Sequence, residues 1–255
     1  MSGAHGSTVT RLYVAGDSRI HRISPEVKLV AVFAVVVVGA VTPRTEVVAF
    51  SVYVVAALIV VAMSGIGLIK YLRRLTVIVP FILFAFVIPF VGGGEKLNVA
   101  GVALSVDGLW AMWNILVKAA LGATMSIVLS ATTPVTNLLH GLTRLRVPRL
   151  LVAIISFMLR YIDVLVEQLG RMRRSMVARG HDPRWLWQVK PIASSAGALF
   201  VRSYERGERV HQAMLARGYT GVMPTIASQR ASINEWIAVM VYPAVCFGVL
   251  MLAVV

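Results

Sequence analysis

Five stretches of the chain are apolar almost without a break: Pro25 to Thr42, Val47 to Met63, Leu75 to Val91, Leu109 to Thr133 and Ile233 to Val255. Each reaches or approaches the roughly 20 residues that a helix needs to cross a bilayer. The Val35 to Val38 centre of the first would suit a buried strand in water. In lipid an open strand leaves its backbone unpaired, so helix is predicted there too. Ser24-Pro25-Glu26 reads as a helix start: a hydroxyl that can cap, a proline suited to the first turn, and an acid at the positive helix end. Ser232 and Glu235 have capping-box spacing ahead of the last stretch. The connections are a turn over Thr42 to Glu46, a break at Ser64-Gly65-Ile66-Gly67 followed by a basic loop carrying Lys70, Arg73 and Arg74, and a glycine-rich loop from Gly92 to Gly108. Pro80 and Pro89 are expected to kink the third stretch.

Between the fourth and fifth stretches the pattern changes. After an apolar run from Pro148 to Phe157, a stripe appears at Met158, Ile162, Leu165, Leu169, Met172 and Met176, with steps of 4, 3, 4, 3 and 4. That is the spacing of one helix face. Arg160, Asp163, Glu167, Arg171 and Arg174 fall on the other face, and Glu167 stands one turn ahead of Arg171, the favourable order for an ion pair. Asp182-Pro183 has the form of a new start and Lys190-Pro191 of a second interruption. A further helix is predicted from Ile192 to Arg217, with Glu205 and Arg209 spaced as a pair. Its last turn carries Met214.

The two predicted helices end on the same phrase. Met176-Val177-Ala178-Arg179-Gly180 and Met214-Leu215-Ala216-Arg217-Gly218 lie 38 positions apart, and a ring follows each, His181 and Tyr219. A plain helix end accounts for part of this, because arginine suits the negative end of a helix and glycine takes the left-handed turn that closes it. The repeated Met and Ala exceed that need. An arginine at an exposed tip can also grip a carboxylate in bidentate fashion, with a small alanine beside it permitting close approach. The Met stripe can pack the two helices together or offer a partner an adaptable surface.

Composition sharpens the class. The 255 residues are 58% hydrophobic with mean hydropathy +0.81, which points to a polytopic membrane protein. The net charge of +14 then reflects retention of Lys and Arg on the cytoplasmic side rather than nucleic-acid binding. Val135 to Ala231 carries 15 Lys and Arg against 5 Asp and Glu, a local net of +10. With the basic residues near Arg73 and at the N-terminus, this puts the N-terminus and the large segment inside and the C-terminus outside. The expected organisation is all-α: a cytoplasmic N-terminal segment (1–24), transmembrane helices one to four (25–133), cytoplasmic coupling helices (134–231) and a fifth transmembrane helix (232–255). Residues 1 to 22 lack the apolar core of a cleavable signal peptide. Cys246 stands alone in an apolar run, the five histidines have no metal-ligand spacing, and there is no Gly-x-x-x-x-Gly-Lys-Ser/Thr phosphate loop, so neither a resident metal nor nucleotide hydrolysis by this chain is expected. Lys118, inside the fourth stretch, is either functional, snorkelling or paired with another helix.

On its two signatures the chain resembles the transmembrane coupling (T) component of energy-coupling factor transporters, the EcfT/CbiQ family of ATP-driven importers for vitamins and transition-metal ions. The family carries Ala-Arg-Gly at the ends of two coupling helices, matched here by Ala178-Arg179-Gly180 and Ala216-Arg217-Gly218. His21 to Lys28 is similar to the family's opening, and Phe200 to Val210, continuing to Ala213-Met214, resembles its cobalt-transport branch. The resemblance implies a non-catalytic subunit that joins two ATP-binding cassette ATPases to a small substrate-binding integral membrane protein, in the cell membrane and in contact with lipid. ATP and Mg would be held by the ATPases, and no cofactor by this chain. Cobalt, nickel or a vitamin would be the cargo. Two rival readings remain open at this point. A self-contained secondary transporter would need charged or broken helices in repeated halves. A membrane enzyme acting on lipid would need clustered Asp, Glu or His at the interface.

Overall fold

A computed structural model describes residues 13–93, 96–99, 102–180, 190–221 and 231–254. The described residues divide into two compact units, one within 10–145 and 228–255 and the other within 146–227.

The first unit holds α1 (Arg19–Arg22), α2 (Pro25–Val41), α3 (Val47–Ser64), α4 (Leu68–Leu75), α5 (Val79–Val91), α6 (Val106–Thr132), α7 (Val135–Arg144) and α10 (Ile233–Val254). Among the described residues, four stretches of helix are long and apolar enough to cross a membrane: Val47–Ser64, Leu68–Val91, Val106–Thr132 and Ile233–Ala253. α2 has 17 residues, so at 1.5 Å per residue it spans about 26 Å. Outward-facing side chains such as Phe33, Leu83 and Ile237 are more than half exposed. Water would solvate that surface poorly and lipid solvates it well. The chain is a multi-pass, all-α membrane protein.

The interior is built where α2, α3, α6 and α10 meet. Val35, Phe50, Tyr53, Leu121, Met125 and Cys246 are buried together. The Tyr53 hydroxyl donates to the carbonyl of Cys246 at 3.0 Å, which joins α3 to α10. A second cluster, with Ile20, Val61, Tyr71 and Ile127, includes α1 and α4. There the Tyr71 and Thr124 hydroxyls are bonded at 2.9 Å.

Several local expectations are corrected. Lys70, Arg73 and Arg74 lie in the helix α4, not in a loop. Burial of Tyr71 against α6 gives that short segment a tertiary reason to be helical. The third stretch breaks at a one-turn 3-10 segment, Thr76–Ile78. Pro80 sits in the first turn of α5, where a proline is tolerated, and Pro89 is inside the helix. The glycine-rich connection contains an antiparallel pair, β1 (Lys96–Val99) and β2 (Val102–Ser105), in which Leu97 faces Leu104 and Val99 faces Val102. α6 starts at Val106, earlier than expected, with Ser105 Oγ accepting the Gly108 N–H at 3.1 Å. Gly108 also admits α5: a Cβ there would lie 2.7 Å from Pro89 Cα.

The predicted caps are redirected. Ser24 makes no side-chain cap to α2. It gives its N–H and its hydroxyl to the carboxylate of Glu235, the latter at 3.0 Å. The Glu235 N–H donates to Ser232 Oγ at 3.2 Å, which is half of the predicted box. Glu26 Oε1 accepts from Arg144 at 2.5 Å and from the Ala231 N–H at 3.3 Å. Lys28 Nζ donates to Thr133 Oγ1 at 3.0 Å and to the Thr132 carbonyl at 3.4 Å. Ser24, Glu26 and Lys28 thus gather α10, α7 and the end of α6 around the start of α2. Residues 13–23 are tied in as well. His21 Nε2 donates to the Val14 carbonyl at 3.0 Å, and Val14 N–H donates to the Ala131 carbonyl at 2.9 Å.

Candidate functional site: the arginine-tipped helix pair

The second unit holds α8 (Arg149–Ala178) and α9 (Lys190–Leu215). α8 is continuous, so the apolar run from Pro148 and the amphipathic stripe belong to one helix of 30 residues. α9 begins at Lys190, with Pro191 in its first turn rather than as an interruption. Asp182-Pro183 and His181 lie outside the described residues.

The ends of the two helices share one geometry. Gly180 has φ +78° and Gly218 φ +80°. Gly180 N–H donates to the Val177 carbonyl at 2.9 Å, and Gly218 N–H to the Leu215 carbonyl at 3.0 Å. At the second end, Tyr219 N–H also reaches the Met214 carbonyl at 3.0 Å. These are the two bonds of a Schellman ending, in which the residue after glycine pairs with the residue five earlier. Met and a following ring are the two positions that such an ending often brings into apolar contact. Part of the repeated phrase therefore has a local explanation.

Ala178, Arg179, Ala216 and Arg217 are exposed. Each guanidinium stands at the carbonyl end of a helix, with a small neighbour and open space around the glycine. The arrangement suits a planar, five-donor cation entering an acidic groove on another molecule.

Along the stripe, Ile162, Leu165, Met172 and Met176 are half-buried, while Met158 and Leu169 are exposed. Met214 is half-buried. Ser195 Oγ, near the start of α9, donates to Met176 Sδ near the end of α8 at 3.4 Å. Met214, at the end of α9, shares a groove of about 450 Å³ with Ile154 and Met158 in the first third of α8. The helices therefore run antiparallel, and their tips face away from each other. From Ser195 to Met214 the helix rises about 28 Å, so the two arginines stand on the order of 30 Å apart.

The groove also brings in residues that the sequence pattern did not single out, among them Phe157, Tyr161, Arg206 and His211. The inner face of α9 runs through Ser195, Leu199, Ser203, Arg206, Val210 and Met214, all half-buried. Three of these six are polar, which hides the face from a search for apolar periodicity, although the helical spacing was there to find. Phe157 and Tyr161, one turn apart, stack with ring centroids 6.4 Å apart. Glu167 pairs with Arg171 at 2.5 Å, and Glu205 with Arg209 at 3.8 Å, both on exposed faces. Lys118 lies in the first unit, on α6. Its ammonium donates to the Ala40 carbonyl in the last turn of α2 at 2.8 Å and stands 5.8 Å from the centre of the Phe50 ring. This is pairing with another helix, one of the three roles left open.

The chain is similar in sequence to several known proteins. The energy-coupling factor transporter transmembrane protein EcfT of Streptococcus thermophilus is 30% identical over 225 residues, covering 82% of this chain and 84% of its own. EcfT of Bacillus selenitireducens is 29% identical over 229 residues, 84% of this chain and 85% of that one. The cobalt transport protein CbiQ of Rhodobacter capsulatus is 29% identical over 133 residues, about half of each chain (52% and 54%). The family described as cobalt transport protein, CbiQ, matches residues 16–226, a span that contains both arginine tips, and the chain belongs to that family.

Proposed function

We propose that the chain is the transmembrane coupling component of an ATP-driven importer of the energy-coupling factor type. The observation that carries this is the pair of matched Ala-Arg-Gly endings on antiparallel helices. Two equal tips that face apart suit two equal partners, one ATP-binding cassette subunit for each. Arg179 and Arg217 would enter acidic grooves there, the glycines would end each helix at a fixed point, and the alanines would let the grooves close on them. ATP and Mg would be bound by those partners, and this chain would be non-catalytic. A separate small membrane protein would hold the cargo, a transition-metal ion such as cobalt or nickel, or a vitamin.

Mechanically, closure of the ATPase pair would carry the two tips with it. α8 and α9 are long, mostly continuous helices in lateral contact, so displacement of a tip is passed on along the helix rather than absorbed. The excess of Lys and Arg between Val135 and Ala231 supports a cytoplasmic position for these helices and for the N-terminus.

The test is purification in mild detergent and identification of what accompanies the chain. Two nucleotide-binding subunits and one small hydrophobic subunit are expected, and the small one would name the cargo. Transport by the chain reconstituted alone would overturn the reading.

A further inference from the structure

We propose that Glu26 is a positioning residue that clamps both connections between the membrane helices and the coupling helices; the functional half of this inference rests on the proposed coupling role. The coupling unit leaves the membrane unit after Leu145 and rejoins it at Ser228. One carboxylate oxygen, distant in sequence from both junctions, is bonded to a residue close to each of them. Oε1 of Glu26 accepts from Nη1 of Arg144, the last residue of α7, at 2.5 Å. The same atom accepts the backbone N–H of Ala231, just before α10, at 3.3 Å. These partners are 118 and 205 positions from Glu26 in the chain.

The surroundings make the clamp stiff. Glu26 is only 5% exposed. α7 lies so close to α2 that a Cβ on Gly141 would stand 3.0 Å from the Glu26 backbone nitrogen and 3.1 Å from the Pro25 carbonyl carbon. Two positions earlier, Ser24 holds Glu235, so the returning chain is gripped again one turn into α10. A charge-assisted bond to a buried carboxylate is stronger than a neutral one and costs more to break. Glu26 Oε2 is buried and has no hydrogen-bond partner among the described residues. Burial of that oxygen is unfavourable by itself. The position is thus held by what Oε1 does at the two junctions. A displacement arriving along the coupling helices would meet α2 at this point instead of being lost in slack connections.

The experiment measures amide hydrogen exchange of the full chain in lipid nanodiscs, over peptides covering residues 138–150 and 226–238, with 117–128 of α6 as the internal control. Glu26→Ala is expected to speed exchange at both junctions by about tenfold, the effect of losing a charged hydrogen bond, with the α6 peptide unchanged. Arg144→Met should speed the first junction only. Glu26→Gln keeps an acceptor oxygen for Ala231, so it should loosen the first junction more than the second. Unchanged exchange at either junction in Glu26→Ala, with the control peptide protected, overturns the clamp. If Glu26→Ala does not insert, the contrast between Glu26→Gln and Arg144→Met decides by the same criterion. In the assembled transporter, Glu26→Gln should leave ATPase recovery intact and lower the cargo moved per ATP several-fold; an unchanged ratio overturns the coupling role of Glu26. Failure of the wild-type chain to recover ATPases would overturn the proposed function instead, while the exchange result would still judge the clamp.

Discussion

The backbone N–H of Tyr219 donates to the carbonyl of Met214 at 3.0 Å, and Gly218 between them has φ +80°. This bond closes α9 and fixes the direction in which Arg217 leaves the helix. Nothing lies within 4 Å of a Cβ built on Gly218 or on Gly180, so replacement there meets no clash and only conformational strain. Gly218→Ala and Gly180→Ala should each loosen the local helix end by about 1 kcal/mol. Exchange of the amides around 215–219 should rise about fivefold in Gly218→Ala. Gly218→Asn, which tolerates the left-handed region better, should be milder.

The arginines separate the capping role from the docking role. A cap survives when another side chain replaces arginine, because Gly218 and the backbone make the turn. A carboxylate-binding fork does not survive charge reversal. Arg179→Glu combined with Arg217→Glu should abolish recovery of ATPase subunits with the purified chain while membrane insertion is normal. Each single change should weaken recovery partially, since the tips stand at opposite ends of the pair. Full co-purification with the double variant would reduce the phrase to two helix ends.

Close packing of α5 on α6 predicts unequal tolerance of alanine. At Gly108 the added carbon would meet backbone, Pro89 Cα at 2.7 Å and the Ile88 carbonyl oxygen at 3.0 Å. At Gly39 it would meet only the far end of a side chain, Leu121 Cδ2, at 2.7 Å. Gly108→Ala should cost about 2 kcal/mol or more through overpacking, and Gly39→Ala less than about 1 kcal/mol. Thermal unfolding of the two variants in one detergent checks the order.

Lys118 supplies a test of structural against functional charge. Its contacts are the Ala40 carbonyl and the face of Phe50, so its positive charge sits at the negative end of α2. Lys118→Met should lower stability by about 1 kcal/mol, with unchanged ATPase recovery and unchanged transport per folded molecule. Loss of transport with normal stability would make the ammonium part of a transport path.

The chain's own letters determined the features that depend on neighbours in sequence. Long apolar runs require helices in lipid, because no other open structure pairs its backbone there. The 3-4 spacing of Met158 to Met176 required a helix face. Glycine after Ala-Arg set the places where α8 and α9 end, to within a residue or two. Tertiary structure decided what depends on distant neighbours. Ser24 and Glu235 look like caps for their own helices, yet their side chains bond to each other across 211 positions, because packing of α2 on α10 brings them within reach. Lys70 and Arg73 look like a loop until Tyr71 finds Thr124. The antiparallel sense of α8 and α9, which turns two equal phrases into tips that face apart, is set by contacts such as Ser195 with Met176. Local propensity and hydropathy carry no information about such partners, since a side chain's bonding groups are the same whichever segment the fold places beside it.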